Sequence, residues 1–283
     1  MPRHTHRLLA LLTLALTLST TSTARSEGEL SPMILVPAGP FVMGSDDLGE
    51  QDERPAHTVE LHAFYIDYRE VTRAEYQRCV DAKVCPVPRK LPTRFDDPQR
   101  PVVGVTWDAA KAFCAFAGKR LLTEAEWEKA ARGTDGRLYP WGSAPPEQRK
   151  HGCFAWTEPR PCLAGTFPAG DSPYGVTDMA GNVWEWLEDV YDGGYYPRSP
   201  NADPPGSTCD DSLAFHRKLI TERKEGWTGK NPIPTECEHV LRGGAWNYGA
   251  NRLRSSNRVH HAGHFRINVA GIRCGADAPP KGP

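Results

Sequence analysis

The sequence predicts one α+β domain, rich in loops and stapled by disulfides. Three observations carry this. Helix signals are short and confined to residues 72–133, and beyond residue 134 helical periodicity gives way to turns and short strands punctuated by tryptophan. The 26 prolines and 26 glycines among 283 residues favour turns over long helices. The eight cysteines, an even number, offer the crosslinks that a loop-rich body needs.

Taken in order, residues 33–43 place two apolar runs around Pro37-Ala-Gly-Pro40, the pattern of a hairpin. Residues 44–55 are polar and acidic, hence a loop, and residues 58–61 and 64–67 read as two further strands. Thr72-Arg-Ala-Glu75 is a capping box that opens a helix to about Asp81. Thr106 caps a second helix with an apolar face of Ala109, Ala110, Phe113, Cys114 and Ala117, ended by Gly118. Thr123-Glu-Ala-Glu126 opens a third helix, which carries Trp127 and Ala130 inward and stops at Gly133.

The first residues address the chain. Arg3, His4, His6 and Arg7 precede an apolar run from Leu8 to Leu18, and a small-residue stretch ends at Ala24. This is the pattern of a signal peptide over residues 1–24, too short for the ~20 apolar residues that span a bilayer. Residues 25–31 read as a linker, 32–277 as the domain and 278–283 as a loose tail. The expected product is secreted or periplasmic, with no membrane span after cleavage. Losing Arg3 and Arg7 moves the formal charge from −1 to about −3, which argues against a nucleic-acid partner. Spacing favours Cys79–Cys85, Cys153–Cys162 and Cys209–Cys237 as pairs, leaving Cys114 with Cys274, although spacing alone leaves connectivity open.

A set of ordered motifs carries a resemblance. They are Pro37-Ala-Gly-x-Phe-x-Met-Gly44, Glu70-Val-Thr-x-x-x-Tyr76, Pro101-Val-x-x-Val105-x-Trp107-x-x-Ala110 and Gly118-Lys-Arg-Leu-x-Thr-Glu-Ala-Glu-Trp127. Tyr139-Pro-Trp-Gly142, Asp178-Met-x-Gly-Asn-Val-Trp-Glu-Trp186, Leu241-Arg-Gly-Gly-x-Trp246, Arg254-x-x-x-Arg258 and Gly271-Ile-Arg-Cys274 follow. In this order they resemble the formylglycine-generating enzyme (sulfatase-modifying factor) superfamily, over roughly residues 32–277. The resemblance implies a loop-rich variant of the C-type lectin fold, and it pairs the position of Cys114 with that of Cys274. Beside it stands a plain physical reading: Trp107, Trp127, Trp141, Trp184 and Trp186 are large apolar anchors for a core short of helices.

In the enzymes of that superfamily that oxidise a sulfatase cysteine, the resemblance implies a copper(I) site of two thiolates, placed between the Gly-Gly turn and the Arg-x-x-x-Arg segment. A soft monovalent ion requires such ligands. Residues 243–258 contain no cysteine; Tyr248 stands where the first thiolate is expected and the second has no counterpart. Copper-dependent formylglycine synthesis is therefore not expected. The resemblance also implies a calcium loop, with carboxylates from Asp178 and Glu185 and carbonyls from Gly181 and Val183, a hard-oxygen set suited to Ca²⁺.

Two functional readings follow. In the first, the C-terminal stretch is a recognition surface for a protein, peptide or small molecule. Trp246, Asn247, Tyr248, Asn251, Arg252, Arg254 and Asn257 mix flat aromatics with adaptable polar groups. In the second, a periplasmic oxidoreductase uses a non-thiolate centre drawn from Tyr248, His260, His261 and His264, whose spacing could bring two imidazoles to one metal.

Overall fold

The computed structural model describes residue 1 and residues 30–222 and 236–279, the side chains of 219–222 aside. The expected signal peptide and the end of the tail lie outside the described residues, apart from residue 1. Among those described, no helix is long and apolar enough to cross a membrane.

The two apolar runs around Pro37 do not form the expected hairpin. β1 (Met33–Val36) pairs antiparallel with β4 (Phe64–Asp67), whereas β2 (Gly39–Met43) pairs with β3 (His57–Leu61). Lys129 holds the corner between them, its Nζ donating to the carbonyls of Pro37 (2.8 Å) and Gly39 (2.6 Å). Gly39 turns there at φ +128°, a conformation that a side chain would strain. A cation distant in sequence thus sends the two runs into different sheets, which local pattern cannot show.

The three expected helices are α1 (Arg73–Asp81), α2 (Trp107–Phe116) and α3 (Glu124–Arg132). Both capping boxes close, Thr72 with Glu75 and Thr123 with Glu126, and Thr106 caps α2 by accepting from the Ala109 N–H. A fourth helix, α4 (Cys209–Glu222), overturns the expectation that none follows residue 134. Its signal is in the sequence: Thr208 accepts from the Asp211 N–H at 3.2 Å, and Asp210 and Asp211 complement the helix dipole in the first turn.

Two four-stranded sheets organise the rest. In the first, β10 (Cys274–Asp277) lies between β4 and β5 (Arg120–Leu121), so the order is β1-β4-β10-β5 and the two ends of the domain meet. The second runs β8 (Val259–Ala262), β7 (Glu238–Arg242), β6 (Trp184–Val190), β9 (Ala270–Gly271). The four disulfides are Cys79–Cys85, Cys114–Cys274, Cys153–Cys162 and Cys209–Cys237, the pairing that spacing favours, and no cysteine is free.

α3 is buried along its whole length, charges included. Its Glu128 accepts from the Gly44 N–H (2.8 Å), from Arg132 (2.8 Å) and from Arg242 at the end of β7. Glu124 takes a two-pronged bond from Arg258 (2.7 and 2.9 Å). Paired this way, buried charges fix the position of the β7–β8 segment against the helix.

Candidate functional site

β7 delivers the chain into Gly243 and Gly244, both at positive φ (+104° and +84°). A Cβ on Gly244 would stand 2.9 Å from Leu253 Cδ2 and 3.0 Å from the Arg252 carbonyl, so only glycine allows this return. The following Trp246 donates its N–H to the Asn182 carbonyl (2.8 Å) and its Nε1 to the Asn268 carbonyl (3.2 Å). Its ring is therefore buried rather than presented.

A second loop, closed by Cys153–Cys162, lies alongside. The Ala155 and Trp156 N–H groups donate to the carbonyls of Tyr248 (2.7 Å) and Trp246 (2.8 Å). Both residues occupy the left-handed region, at φ +48° and +60°, which is rare for residues other than glycine. The product of that strained backbone is an exposed aromatic: Trp156 is 62% exposed and meets the Trp246 ring edge-on at 4.7 Å. Tyr248, 37% exposed, stands edge-on to Trp184 at 5.5 Å. Trp156 and Tyr248 are thus two exposed aromatics on adjoining loops, each set edge-on against a buried tryptophan, with Asn251 exposed in the same segment as Tyr248.

The structure divides the residues expected to bind ligand. Tyr248 and Asn251 are exposed, Asn247 is half-buried with its Oδ1 unpartnered, and Arg252 pairs with Glu50 at 2.6 Å. Arg254 and Asn257 are both buried and both hold the fully buried Glu53, Arg254 through two bonds (2.5 and 2.7 Å) and Asn257 through one. With Ser256 they keep the Glu53 carboxyl below its usual range against the opposing effect of burial. Trp246 is likewise buried, beneath the exposed Trp156.

The three histidines do not converge. His260 and His261 are neighbours on β8 and point to opposite faces. His260 stacks on Tyr191 at 3.8 Å and binds Glu238; His261 stacks on Phe265; His264 pairs with Glu236 at 3.0 Å. Tyr248 is one of the two exposed aromatics instead. Among the described residues, no three His, Cys, Asp or Glu side chains gather as a metal cluster. His260 does line a cleft of about 410 Å³ with Tyr191, Asp52 and Arg258, yet the Arg258 guanidinium is committed to Glu124 and to the Asp52 carbonyl.

The 178–185 loop is pinned between the two site loops, since the Asn182 N–H donates to the Cys153 carbonyl and the Gly181 N–H to the Gly243 carbonyl (2.7 Å each). Three buried carboxylates lie around it. Glu70 accepts from Asn182 Nδ2 (2.6 Å) and the Val183 N–H (3.1 Å), and Asp178 accepts from the Gly165 N–H (2.5 Å). Glu185 accepts from Arg273 (2.8 to 3.0 Å) and from Trp127 Nε1 (2.6 Å). Burial pushes Asp178 up to about 6, and burial together with the charges of Asp178 and Glu185 raises Glu70 well above the carboxylate range. The Arg273 guanidinium bonds Glu185 directly and acts on Glu70 and Asp178 only through its charge.

Comparison with known proteins places this geometry. The profile of the sulfatase-modifying factor enzyme 1-like domain matches residues 19–278. The chain belongs to that family. Hercynine oxygenase of Mycolicibacterium smegmatis is 34% identical over 88% of this chain, which spans 62% of that relative's length. A formylglycine-generating enzyme of Streptomyces coelicolor is 30% identical, with 87% of this chain and 89% of the relative covered. Among solved structures, PvdO from Pseudomonas aeruginosa superposes with a TM-score of 0.67 at 23% identity, covering 90% of this chain and all of that one, which supports the shared fold.

Within this sulfatase-modifying factor family member, a copper(I) thiolate centre does not fit. Every sulfur of the eight cysteines is in a disulfide, and a phenol at Tyr248 is too hard a ligand to replace a thiolate. Sequence reasoning missed Trp156, because nothing in Phe154-Ala-Trp-Thr157 marks a left-handed turn, and it missed Glu53, whose partners lie some 200 positions away.

Proposed function

We propose that this protein is an exported recognition or accessory member of the sulfatase-modifying factor family, without copper-dependent cysteine oxidation. The observation that carries the reading is the fate of its sulfur: all eight cysteines are crosslinked, and the family's thiolate position holds Tyr248. Four disulfides suit an oxidising compartment, in keeping with the N-terminal basic and apolar segment. The contact face is Trp156 and Tyr248, with Asn247, Asn251 and Arg252 at its edge. Rigid aromatics of this kind supply contact area at low entropic cost. A peptide, protein or small molecule with its own flat or apolar group is the ligand class that such a face takes.

Calcium is the ion this reading assigns to the 178–185 loop. Asp178 and the carbonyls of Gly181 and Val183 would hold it, while Glu185 would share its carboxylate with Arg273. Its contribution there is structural: it would offset the buried negative charge of Asp178 and Glu185, which Arg273 meets through Glu185.

The test is selection of binders from a random displayed-peptide library, followed by affinity measurement on variants. Trp156→Ala weakens selected peptides by about tenfold or more, as loss of a central aromatic contact does. Tyr248→Ala does the same, and Arg254→Lys leaves contacts with the ligand unchanged. Selected peptides that ignore both aromatic substitutions would place recognition elsewhere on the molecule.

A further inference from the structure

A second concave surface lies on the other side of the 3-10 turn Thr93–Phe95. Phe95 packs edge-on against Trp246 at 6.1 Å, while Thr93 and Asp96 face a groove of about 320 Å³. One wall of the groove is α1, through Arg73, Tyr76 and Gln77; the other is the segment Val87-Pro-Arg-Lys-Leu91. Its floor and rim are apolar: Leu91 and Val102 line it, and Val87 is 68% exposed at its edge. An isolated exposed valine means little, but one standing over a lined groove has somewhere for a ligand to sit.

The walls are rigid. Cys79–Cys85 ties α1 to the start of the opposite wall, and the Tyr76 hydroxyl donates to the Pro86 carbonyl at 2.9 Å. The Arg89 N–H donates to the Gly104 carbonyl at 2.9 Å, and Pro86, Pro88 and Pro92 restrict the backbone between these points. A groove built this way loses little conformational freedom when it is filled.

Its charge is one-sided. Arg73, Arg89 and Lys90 line it. The single lining acid, Asp96, is already paired with Arg73 at 3.1 Å. Arg89 spends one donor on the Arg266 carbonyl and is otherwise exposed, as is Lys90. The chain as a whole is slightly acidic, at −1, so this basic rim is a local feature and not a reflection of composition.

We propose that this groove docks an extended acidic segment of a partner protein, with one apolar side chain seated against Leu91 and Val102 and flanking carboxylates on Arg89 and Lys90. The surface is distinct from the Trp156–Tyr248 face, so the proposal stands or falls independently of the function assigned there.

The probe is a fluorescein-labelled peptide of aspartates and glutamates around one central leucine, with the whole disulfide-bonded protein titrated in and anisotropy read out. The wild type binds it, more weakly as salt rises. Replacing the leucine of the probe by serine, or introducing Arg89→Glu with Lys90→Glu, weakens binding by at least about tenfold. Val87→Asp, a substitution at an exposed position, has the same direction and serves should the double variant not fold. Trp156→Ala leaves this affinity unchanged. The proposal is overturned if the acidic leucine peptide does not bind or the serine peptide binds equally well. Loss of binding in Trp156→Ala as large as in the charge variants overturns it too.

Discussion

Alanine in place of Glu128 lowers the stability of the domain by about 3–5 kcal/mol, the range expected when one partner of a buried ion pair is removed. The size follows from what is left behind. Glu128 is wholly buried and satisfies three donors: the Gly44 N–H, Arg132 and Arg242. Its removal strands the Arg242 guanidinium, also wholly buried, with Glu124 shared between Arg242 and Arg258. Glu128→Gln costs less, because an amide oxygen still accepts from one donor. Urea denaturation of the wild type and both variants measures the difference. A loss below about 1 kcal/mol for Glu128→Ala would show that the network does not anchor β7. This matters for the site, because β7 leads directly into the Gly243–Gly244 turn and the aromatic face.

Calcium in about hundredfold excess over its dissociation constant raises the melting temperature by roughly 5–10 °C, corresponding to about 2.7 kcal/mol of binding linkage in a domain of this size. The expectation rests on the 178–185 loop, where Asp178 and Glu185 are both buried and the Arg273 guanidinium bonds Glu185 alone of the two. Asp178→Ala abolishes the increment, whatever it does to the melting temperature in chelator. Melts in calcium and in chelator decide the matter: identical curves for the wild type would mean that Arg273 alone balances the loop and that no ion is held there.

Much of this was legible in the sequence, for identifiable reasons. Caps are local, so Thr72, Thr106 and Thr123 announced their helices, and Thr208 with Asp211 carried the same kind of signal for α4. The ordered tryptophan and glycine motifs reported the family, and the even cysteine count reported the crosslinks. Burial within one segment was not legible. Asn251 and Asn257 look alike on paper, yet one is exposed and the other holds Glu53, because Glu53 lies 204 positions from Asn257. The same reason hid the split between β1 and β2, which depends on Lys129 reaching back some 90 positions. Trp156 escaped because two consecutive left-handed residues without glycine are set by tertiary hydrogen bonds, not by residue type.

The claim on which the functional reading depends is that no thiol is available to hold a soft metal ion. Native, unreduced protein treated with excess maleimide and weighed intact by mass spectrometry tests it most directly. A single unmodified mass is expected, with labelling of all eight cysteines only after reduction in denaturant. Two adducts on the folded, unreduced protein would contradict it and return the copper chemistry of the family to consideration.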